Sequence, residues 1–173
     1  MHGTYDRILV PIDFSPHATE ALHQAASIAG RFFSTLLVLH VIPKAYEVYS
    51  THIHTGRRLS APIEPFIETL QMPSAEEETV TINLREQAKI AMQRFIPTTL
   101  SYQPSELLVA IGEPYEQILQ VARERHIDLI VMGTHGRTGL SHAFIGSVAE
   151  RVLRSASCPV LTIKATPSHP SSP

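Results

Sequence analysis

Five short apolar runs are spaced along the chain, each of a length typical of a strand. None alternates cleanly between apolar and polar residues, and continuous apolar runs are typical of strands buried on both faces of a parallel sheet. The runs cover residues 8–12, 36–41, 107–111, 129–132 and 160–163. Pro11 cannot donate a hydrogen bond to a ladder, so we expect the first strand to end there or to be free on one side.

Two helical patterns fit the earlier stretches between these runs. Ser15-Pro16 is typical of a helix start, and an apolar stripe of helical period runs from Ala18 to Phe32. Ser74 and Glu77 have the spacing of a capping box. The stripe that follows them ends at Phe95 and predicts a second long helix, with positions 80, 84, 88, 91 and 95 on its inner face.

The later stretches predict two more helices. Pro114 begins one that we expect to end near His126, and another begins near Ser147 with Val148, Val152 and Leu153 facing inward. Strands that alternate with helices indicate βαβ units with right-handed crossovers. The pattern therefore predicts an α/β domain in which helices cover both faces of the sheet.

Composition and charge agree with one folded domain. The 173 residues are 43% hydrophobic and 17% charged, which is enough apolar material for a core. The net charge of −2 gives no basic excess for nucleic acid, and the longest aliphatic run is too short to cross a bilayer. A single cysteine excludes a disulfide framework within the chain. With no signal peptide in view, we expect a cytoplasmic protein.

Two segments do not fit the repeating pattern. Residues 43–75 hold four prolines and no sustained period, so we interpret them as a long insertion or lid within a domain that covers residues 1–164. Residues 165–173 are rich in proline and serine and predict a disordered tail.

The glycines between the fourth strand and the last helix are the most informative feature. Gly133 and Gly136 follow the strand, and Gly146 and Ser147 open the helix. Glycine lets a backbone approach a ligand closely, and the free N–H groups of a helix start favour an anion such as phosphate. The alternative is a loop with ordinary turn glycines and an N-cap. No lysine lies in this loop, and neither the P-loop nor the dinucleotide-binding glycine motif is present.

Several segments together resemble the universal stress protein family. They are Arg7-Ile-Leu-Val-Pro-Ile-Asp-Phe-Ser15, Leu39-His-Val41, Gly112-Glu-Pro114, Asp128-Leu-Ile-Val-Met-Gly-Thr-His-Gly-Arg137, Gly146-Ser-Val-Ala-Glu-Arg-Val-Leu-Arg154 and Cys158-Pro-Val-Leu161. The ATP-binding branch of that family is marked by Gly-x2-Gly-x9-Gly followed by Ser or Thr. Gly133, Gly136, Gly146 and Ser147 match that spacing.

The resemblance implies a fold and a place for the ligand. The fold is a single-domain, doubly wound sheet of five parallel strands in the order 3-2-1-4-5, with helices on both faces. In that order the chain reverses direction between the first and fourth strands, and ligands bind in the crevice outside the carboxyl ends of such strands. Asp13 follows the first strand and Gly133 ends the fourth, so both are expected at this crevice.

The resemblance also implies the individual nucleotide-binding residues. Asp13 would accept ribose hydroxyls, although an aspartate there could instead cap the first helix. The base and sugar would lie against Pro11, Ile12, Val41 and Met132, which also suit the strand-end core. The phosphates would meet the glycine loop and the helix that follows it: Gly133, His135, Gly136, Arg137, Gly146, Ser147 and Val148. His135 and Arg137 could equally be solvated loop side chains.

Other reactive side chains have plainer interpretations. We predict that His40, inside a strand, is a hydrogen-bonded core residue and that Cys158 is a small buried residue. His52 and His54 are interpreted as surface residues, because a lone His-x-His pair is a weak metal motif. No catalytic residue and no metal held by the protein alone is predicted, although a magnesium ion could join the phosphates and Ser147.

Three functions remain open on the sequence. The leading one is an ATP-binding stress-response or regulatory protein that holds nucleotide with little or no turnover. The alternatives are a slow ATP hydrolase or phosphotransferase and a dimerising scaffold without nucleotide. The resemblance further implies a homodimer through the fifth strand, Val160, Leu161, Thr162 and Ile163, whose apolar edge would otherwise be unpaired.

Overall fold

The computed structural model describes residues 5–43, 77–134 and 145–164, with side chains 77–83 not described. Five parallel strands form one sheet in the order β3-β2-β1-β4-β5, which confirms the expected fold. The strands are β1 (Arg7–Ile12), β2 (Thr35–Ile42), β3 (Glu106–Ile111), β4 (Leu129–Gly133) and β5 (Val160–Ile163). The predicted lid and tail lie outside the described residues.

Four helices connect these strands in the described part of the chain. They are α1 (Pro16–Phe32), α2 (Glu77–Phe95), α3 (Pro114–Glu124) and α4 (Ser147–Ser155). Ser15 caps α1, because its Oγ accepts a hydrogen bond from the Ala18 N–H at 3.2 Å. The Ser74 capping box lies outside the described residues.

The helices cover the two faces of the sheet, and one of the two larger apolar clusters lies on each face. On one face, alanines of α1 pack with Met92 and Ile96 against alternate residues of β1 and β2. On the other face, Ile118 of α3 and Val152 of α4 pack against the remaining strand positions. Because every central strand is buried on both sides, its sequence shows no alternation, as predicted.

The structure corrects details of three predicted helices. Leu153 was expected inside but is 39% exposed, because α4 packs through Ala149 and Val152 and position 153 lies about 100° further round the helix. Met92, which the predicted inner face of α2 omitted, is fully buried. The third helix ends at Glu124 rather than near His126, which has a positive φ of 50°.

Pro11 lies just beyond the point where the hydrogen-bonded ladder between β1 and β4 ends. Pairing between these strands covers only Ile8 and Leu9, whereas β1 pairs with β2 along its whole length. Asp128 N–H donates to the Arg7 carbonyl, so the odd-numbered residues of β1 direct their backbone groups towards β4. The N–H that Pro11 lacks is therefore one that would have faced β4, which confirms that the strand is free on one side here.

Among the described helices, none is both long enough and apolar enough to cross a membrane.

Candidate functional site

The candidate site lies at the carboxyl ends of the neighbouring strands β1 and β4. It lies at the switch point of the strand order, where β1 turns into α1 and β4 leads towards α4. Counting three residues from the Ile8–Leu129 pair along each strand places Pro11 level with Met132. The residues predicted for the base and sugar therefore end neighbouring strands at one edge of the sheet.

Most side chains of the residues predicted to bind the base and sugar are buried in the core. Ile12, Val41 and Met132 are at most 8% exposed, and Val41 and Met132 pack in the core under α3 and α4. Their side chains hold the strand ends together, so what they can offer a ligand is mainly their backbone. Pro11 is half-buried.

Asp13 follows β1 and is half-buried in the turn that leads into α1. Its Oδ1 accepts a hydrogen bond from the Ser15 N–H at 3.0 Å, while Ser15 itself caps the helix. The alternative that Asp13 is the N-cap is therefore wrong, although Asp13 does stabilise the turn. A carboxylate can accept several hydrogen bonds, so this contact still leaves Asp13 able to accept from a ligand.

Phe14 gives this turn an unusual backbone. Its φ is 65°, in the left-handed region that large side chains rarely adopt. The Phe14 ring lies 4.5 Å from the His40 ring and 5.3 Å from the Phe95 ring, measured between ring centroids. Nothing in the local sequence indicates this conformation, because the residues that hold it come from β2 and α2.

His40 is a hydrogen-bonded core residue, as predicted. It is 9% exposed, and its Nδ1 lies 2.9 Å from the carbonyl oxygen of Ile12. Since a carbonyl oxygen can only accept, the Nδ1 carries the proton in this contact. His40 thereby fixes the peptide group that joins Ile12 to Asp13.

Gly133 is required by packing between α1 and β4. A Cβ on Gly133 would lie 2.8 Å from the Cβ of His17, and 3.2 and 3.3 Å from the backbone carbon and oxygen of that residue. Glycine spacing alone suggested an approach to phosphate, whereas the structure shows an approach of the first turn of α1. His17 is a neighbour that sequence reasoning missed, because the two positions are far apart in the chain.

The start of α4 presents backbone N–H donors that no side chain of its N-cap residue satisfies. Gly146 is the N-cap residue and has no side chain that could cap the helix. It therefore does not satisfy the first backbone N–H groups of α4, which begin at Ser147. The Gly146 N–H donates to the Thr134 carbonyl at 2.7 Å, and the Thr134 N–H donates to the Ile163 carbonyl at 2.9 Å. These bonds tie the helix start to the ends of β4 and β5.

The structure describes only some of the other residues that are predicted to bind phosphate. Ser147 is exposed and Val148 is half-buried, both in the first turn of α4. His135, Gly136 and Arg137 lie outside the described residues, so their roles remain predictions. In the part of the chain that the structure describes, no cluster of three His, Cys, Asp or Glu side chains could hold a metal ion.

Cys158 lies away from this crevice, just before β5. It is half-buried, and burial is the main cause that raises the pKa of its thiol, with a further contribution from the charge of Asp128. A raised pKa disfavours the reactive thiolate, which agrees with the prediction that Cys158 is not a reactive thiol. The residue packs against the core but is half-buried rather than buried.

An open parallel α/β sheet with a crevice at its switch point belongs to a class of domains that take ligands at the carboxyl ends of the strands. A model of the universal stress protein family (Usp) matches residues 4–164 of this chain. The chain therefore belongs to the universal stress protein family.

Curated relatives match over nearly their whole length. Universal stress protein MJ0577 of Methanocaldococcus jannaschii is 29% identical, covering 95% of this chain and 98% of the relative. Universal stress protein A homolog 1 of Coxiella burnetii is 33% identical, covering 92% and 96%.

Solved structures share the fold. The structure of MJ0577, described as a structure-based assignment of biochemical function, has a TM-score of 0.68 at 27% identity and covers 96% of this chain and all of that one. A universal stress protein solved in complex with cAMP has a TM-score of 0.55 at 19% identity, covering 94% of this chain and 98% of that one. At this identity the likeness establishes the shared fold and nothing further.

Proposed function

We propose that this universal stress protein binds ATP in the crevice between β1 and β4 and holds it with little or no turnover. The observation that carries the proposal is the placement of two complementary groups at one switch point. Asp13 supplies a carboxylate acceptor beyond β1, and the start of α4 supplies backbone donors beyond β4. A nucleotide has sugar hydroxyls that donate and phosphates that accept, so it suits both groups.

The phosphate end fits the first turn of α4. Backbone N–H groups at a helix start carry partial positive charge and suit an anion. Gly146 adds no side chain at this point, and the exposed Ser147 hydroxyl can donate as well. His135, Gly136 and Arg137 complete the proposed phosphate loop, on the family spacing alone.

The sugar and base end fits the turn after β1. Asp13 accepts from a ribose hydroxyl with the part of its carboxylate that is not bound to the Ser15 N–H. The base lies against the strand ends at Pro11, Ile12, Val41 and Met132, where mostly backbone groups remain available. The ladder between β1 and β4 covers only Ile8 and Leu9, so Pro11 is not paired in it.

A magnesium ion is compatible with this arrangement only as part of the nucleotide complex. Ser147 would offer it one hydroxyl oxygen, and the remaining ligands would be phosphate oxygens and water. The complex of another universal stress protein with cAMP supports an adenine nucleotide as a ligand that this fold can accommodate.

The experiment that tests the proposal uses the full native chain. One portion of the purified protein is heat-denatured, and the ligand that it releases is identified by mass spectrometry. Calorimetry then measures ATP binding to a second portion that has stayed folded and has been freed of nucleotide by dialysis. We expect ATP among the released molecules and saturable ATP binding. No released nucleotide together with no ATP binding would contradict the proposal and favour a scaffold.

We predict slow turnover of the bound nucleotide. Fast phosphoryl transfer needs charge neutralisation and an oriented nucleophile, and no lysine lies in the glycine loop. The nearest carboxylate that we can assign, Asp13, is placed at the sugar end. Steady-state phosphate release should therefore fall well below the ~10 s⁻¹ typical of enzymes.

The control for turnover is the Asp13→Ala variant, purified in the same way. If native protein hydrolyses ATP near the typical enzyme rate and the variant does not, the protein is an ATP hydrolase rather than a binding protein. The comparison is made at an ATP concentration that saturates the native protein but not the variant, so equal activity in both would come from a contaminant and leave the prediction standing.

We further propose a homodimer through the edge strand β5. The Pro159 carbonyl accepts from the Ile130 N–H of β4, and the Ile163 carbonyl accepts from the Thr134 N–H just after β4. Odd-numbered residues of β5 therefore direct their backbone towards β4. Val160 and Thr162 therefore direct their N–H groups to the open edge of the sheet. Leu161 is 37% exposed in the single chain, and an exposed apolar edge strand favours pairing with a second copy.

Substitution Thr162→Pro should give a folded monomer. Proline removes one outward donor at the open edge but none of the donors that pair with β4, and edge strands tolerate it. Light scattering at micromolar concentration should give twice the 19.1 kDa chain mass for native protein and the single mass for the variant. A native protein that is monomeric, or a variant that remains dimeric, would show that β5 is not the interface.

A further inference from the structure

The conformation of Phe14 is the least expected feature of the candidate site. A phenylalanine with φ of 65° is sterically disfavoured, and such residues persist where the surrounding structure holds them. Phe14 stands between Asp13, the proposed ribose acceptor, and Ser15, the N-cap of α1. The disfavoured backbone therefore lies inside the proposed binding turn.

Two side chains from other elements hold the Phe14 ring. His40 of β2 lies against it at 4.5 Å with an interplanar angle of 47°, and Phe95 at the end of α2 meets it edge to face at 5.3 Å. An edge-to-face contact at this distance is favourable for aromatic rings. Phe14 and Phe95 both pack against the core under α1.

The same supports constrain Asp13 from both sides. On its N-terminal side, the His40 Nδ1 donates to the Ile12 carbonyl at 2.9 Å. On its C-terminal side, the left-handed turn at Phe14 brings the Ser15 N–H to 3.0 Å from the Asp13 Oδ1. A change of the Phe14 backbone to an ordinary conformation would redirect the Ser15 N–H and release the carboxylate.

We propose that Phe14 is a positioning residue, held by His40 and Phe95, that orients the Asp13 carboxylate towards the ribose of the bound nucleotide. This inference rests on the proposed ATP binding and names how one contact of that site is made. It also gives α2, which contributes no predicted ligand contact, a part in nucleotide recognition through Phe95.

The test measures recognition of the ribose hydroxyls rather than affinity alone. Calorimetry compares ATP with 2′-deoxy-ATP and 3′-deoxy-ATP on native protein and on the variants Phe14→Gly and Phe95→Leu. Glycine permits the positive φ but removes the ring that holds it, and leucine at position 95 removes the edge-to-face contact. The control is Phe32→Leu, which removes a similar edge-to-face contact with Tyr5 at 5.7 Å, at the far end of α1.

We expect native protein and Phe32→Leu to prefer ATP over at least one deoxy analogue by about tenfold, because that analogue lacks the ribose hydroxyl that donates to the Asp13 carboxylate. In Phe14→Gly the preference should fall below about threefold, and in Phe95→Leu it should fall part of the way. A merely structural role for Phe14 would lower the melting temperature and leave the ratio of affinities unchanged.

The possible failures are distinguishable. Native protein that binds no ATP overturns the proposed function itself. Native protein that binds ATP without preference for either hydroxyl overturns the ribose contact and this inference with it. A preference that Phe14→Gly and Phe95→Leu both retain overturns this inference alone. If Phe14→Gly does not fold, Phe95→Leu decides the result.

Discussion

Substitution Gly133→Ala should destabilise the domain by about 1–3 kcal/mol, the usual cost of adding atoms to a tightly packed site. The new Cβ would lie 2.8 Å from the Cβ of His17 and within 3.3 Å of the backbone of that residue. Because two of these neighbours are backbone atoms, a change of rotamer at His17 cannot relieve the contact. The first turn of α1 would have to move away from β4.

The consequence for binding follows from where this movement occurs. The turn that holds Asp13 leads directly into α1, and Gly133 ends β4, so the two sides of the crevice would shift relative to each other. ATP affinity should therefore fall together with stability. Urea denaturation, with the midpoint lowered and the slope unchanged, and calorimetry with ATP are the measurements.

Gly30→Ala is the matched control for this substitution. A Cβ at Gly30 would meet the Tyr102 side chain at 3.7 Å, which is ordinary contact, and the residue lies inside α1. Alanine in a helix interior is favoured over glycine by up to about 1 kcal/mol, so this variant should be as stable as native protein or more so. Equal stability of Gly133→Ala and native protein would show that the close approach of α1 to β4 does not constrain position 133.

Substitution Asp13→Ala should lower ATP affinity by about 1.5–3 kcal/mol, roughly 10- to 150-fold, the range for a hydrogen bond to a charged group. The domain should stay folded, because the N-cap of α1 is Ser15 and not Asp13. The lost hydrogen bond from the Ser15 N–H makes the turn looser without exposing the core. Calorimetry with ATP measures the affinity, and circular dichroism confirms the fold.

Asp6→Ala is the matched carboxylate control. Asp6 is exposed just before β1, at the opposite end of that strand from Asp13, and its carbonyl, which accepts from the Thr35 N–H, remains in the variant. The variant removes the same charge from the protein without touching the crevice. If both variants weaken ATP binding equally, the effect is one of net charge, and the assignment of Asp13 to the ribose fails.

The sequence determined the elements and their class because the features that specify them are local. Unbroken apolar runs identified the five strands, and Ser15-Pro16 identified the start of α1 to the residue. Pro11 predicted that β1 ends or lacks a ladder partner on one side at this position, because proline has no N–H to donate in any fold. The strand order itself came from the resemblance to the family, since alternation of strands and helices is compatible with several orders.

The tertiary structure decided how the crevice is built, because the deciding contacts join positions far apart in the chain. The left-handed turn at Phe14 depends on His40 and Phe95, and the need for glycine at position 133 depends on His17. The spacing of Gly133 was recognised from the sequence, but its physical reason was not. A local pattern specifies which backbone forms, whereas side-chain packing between β2, α2 and the turn after β1 determines where Asp13 is held.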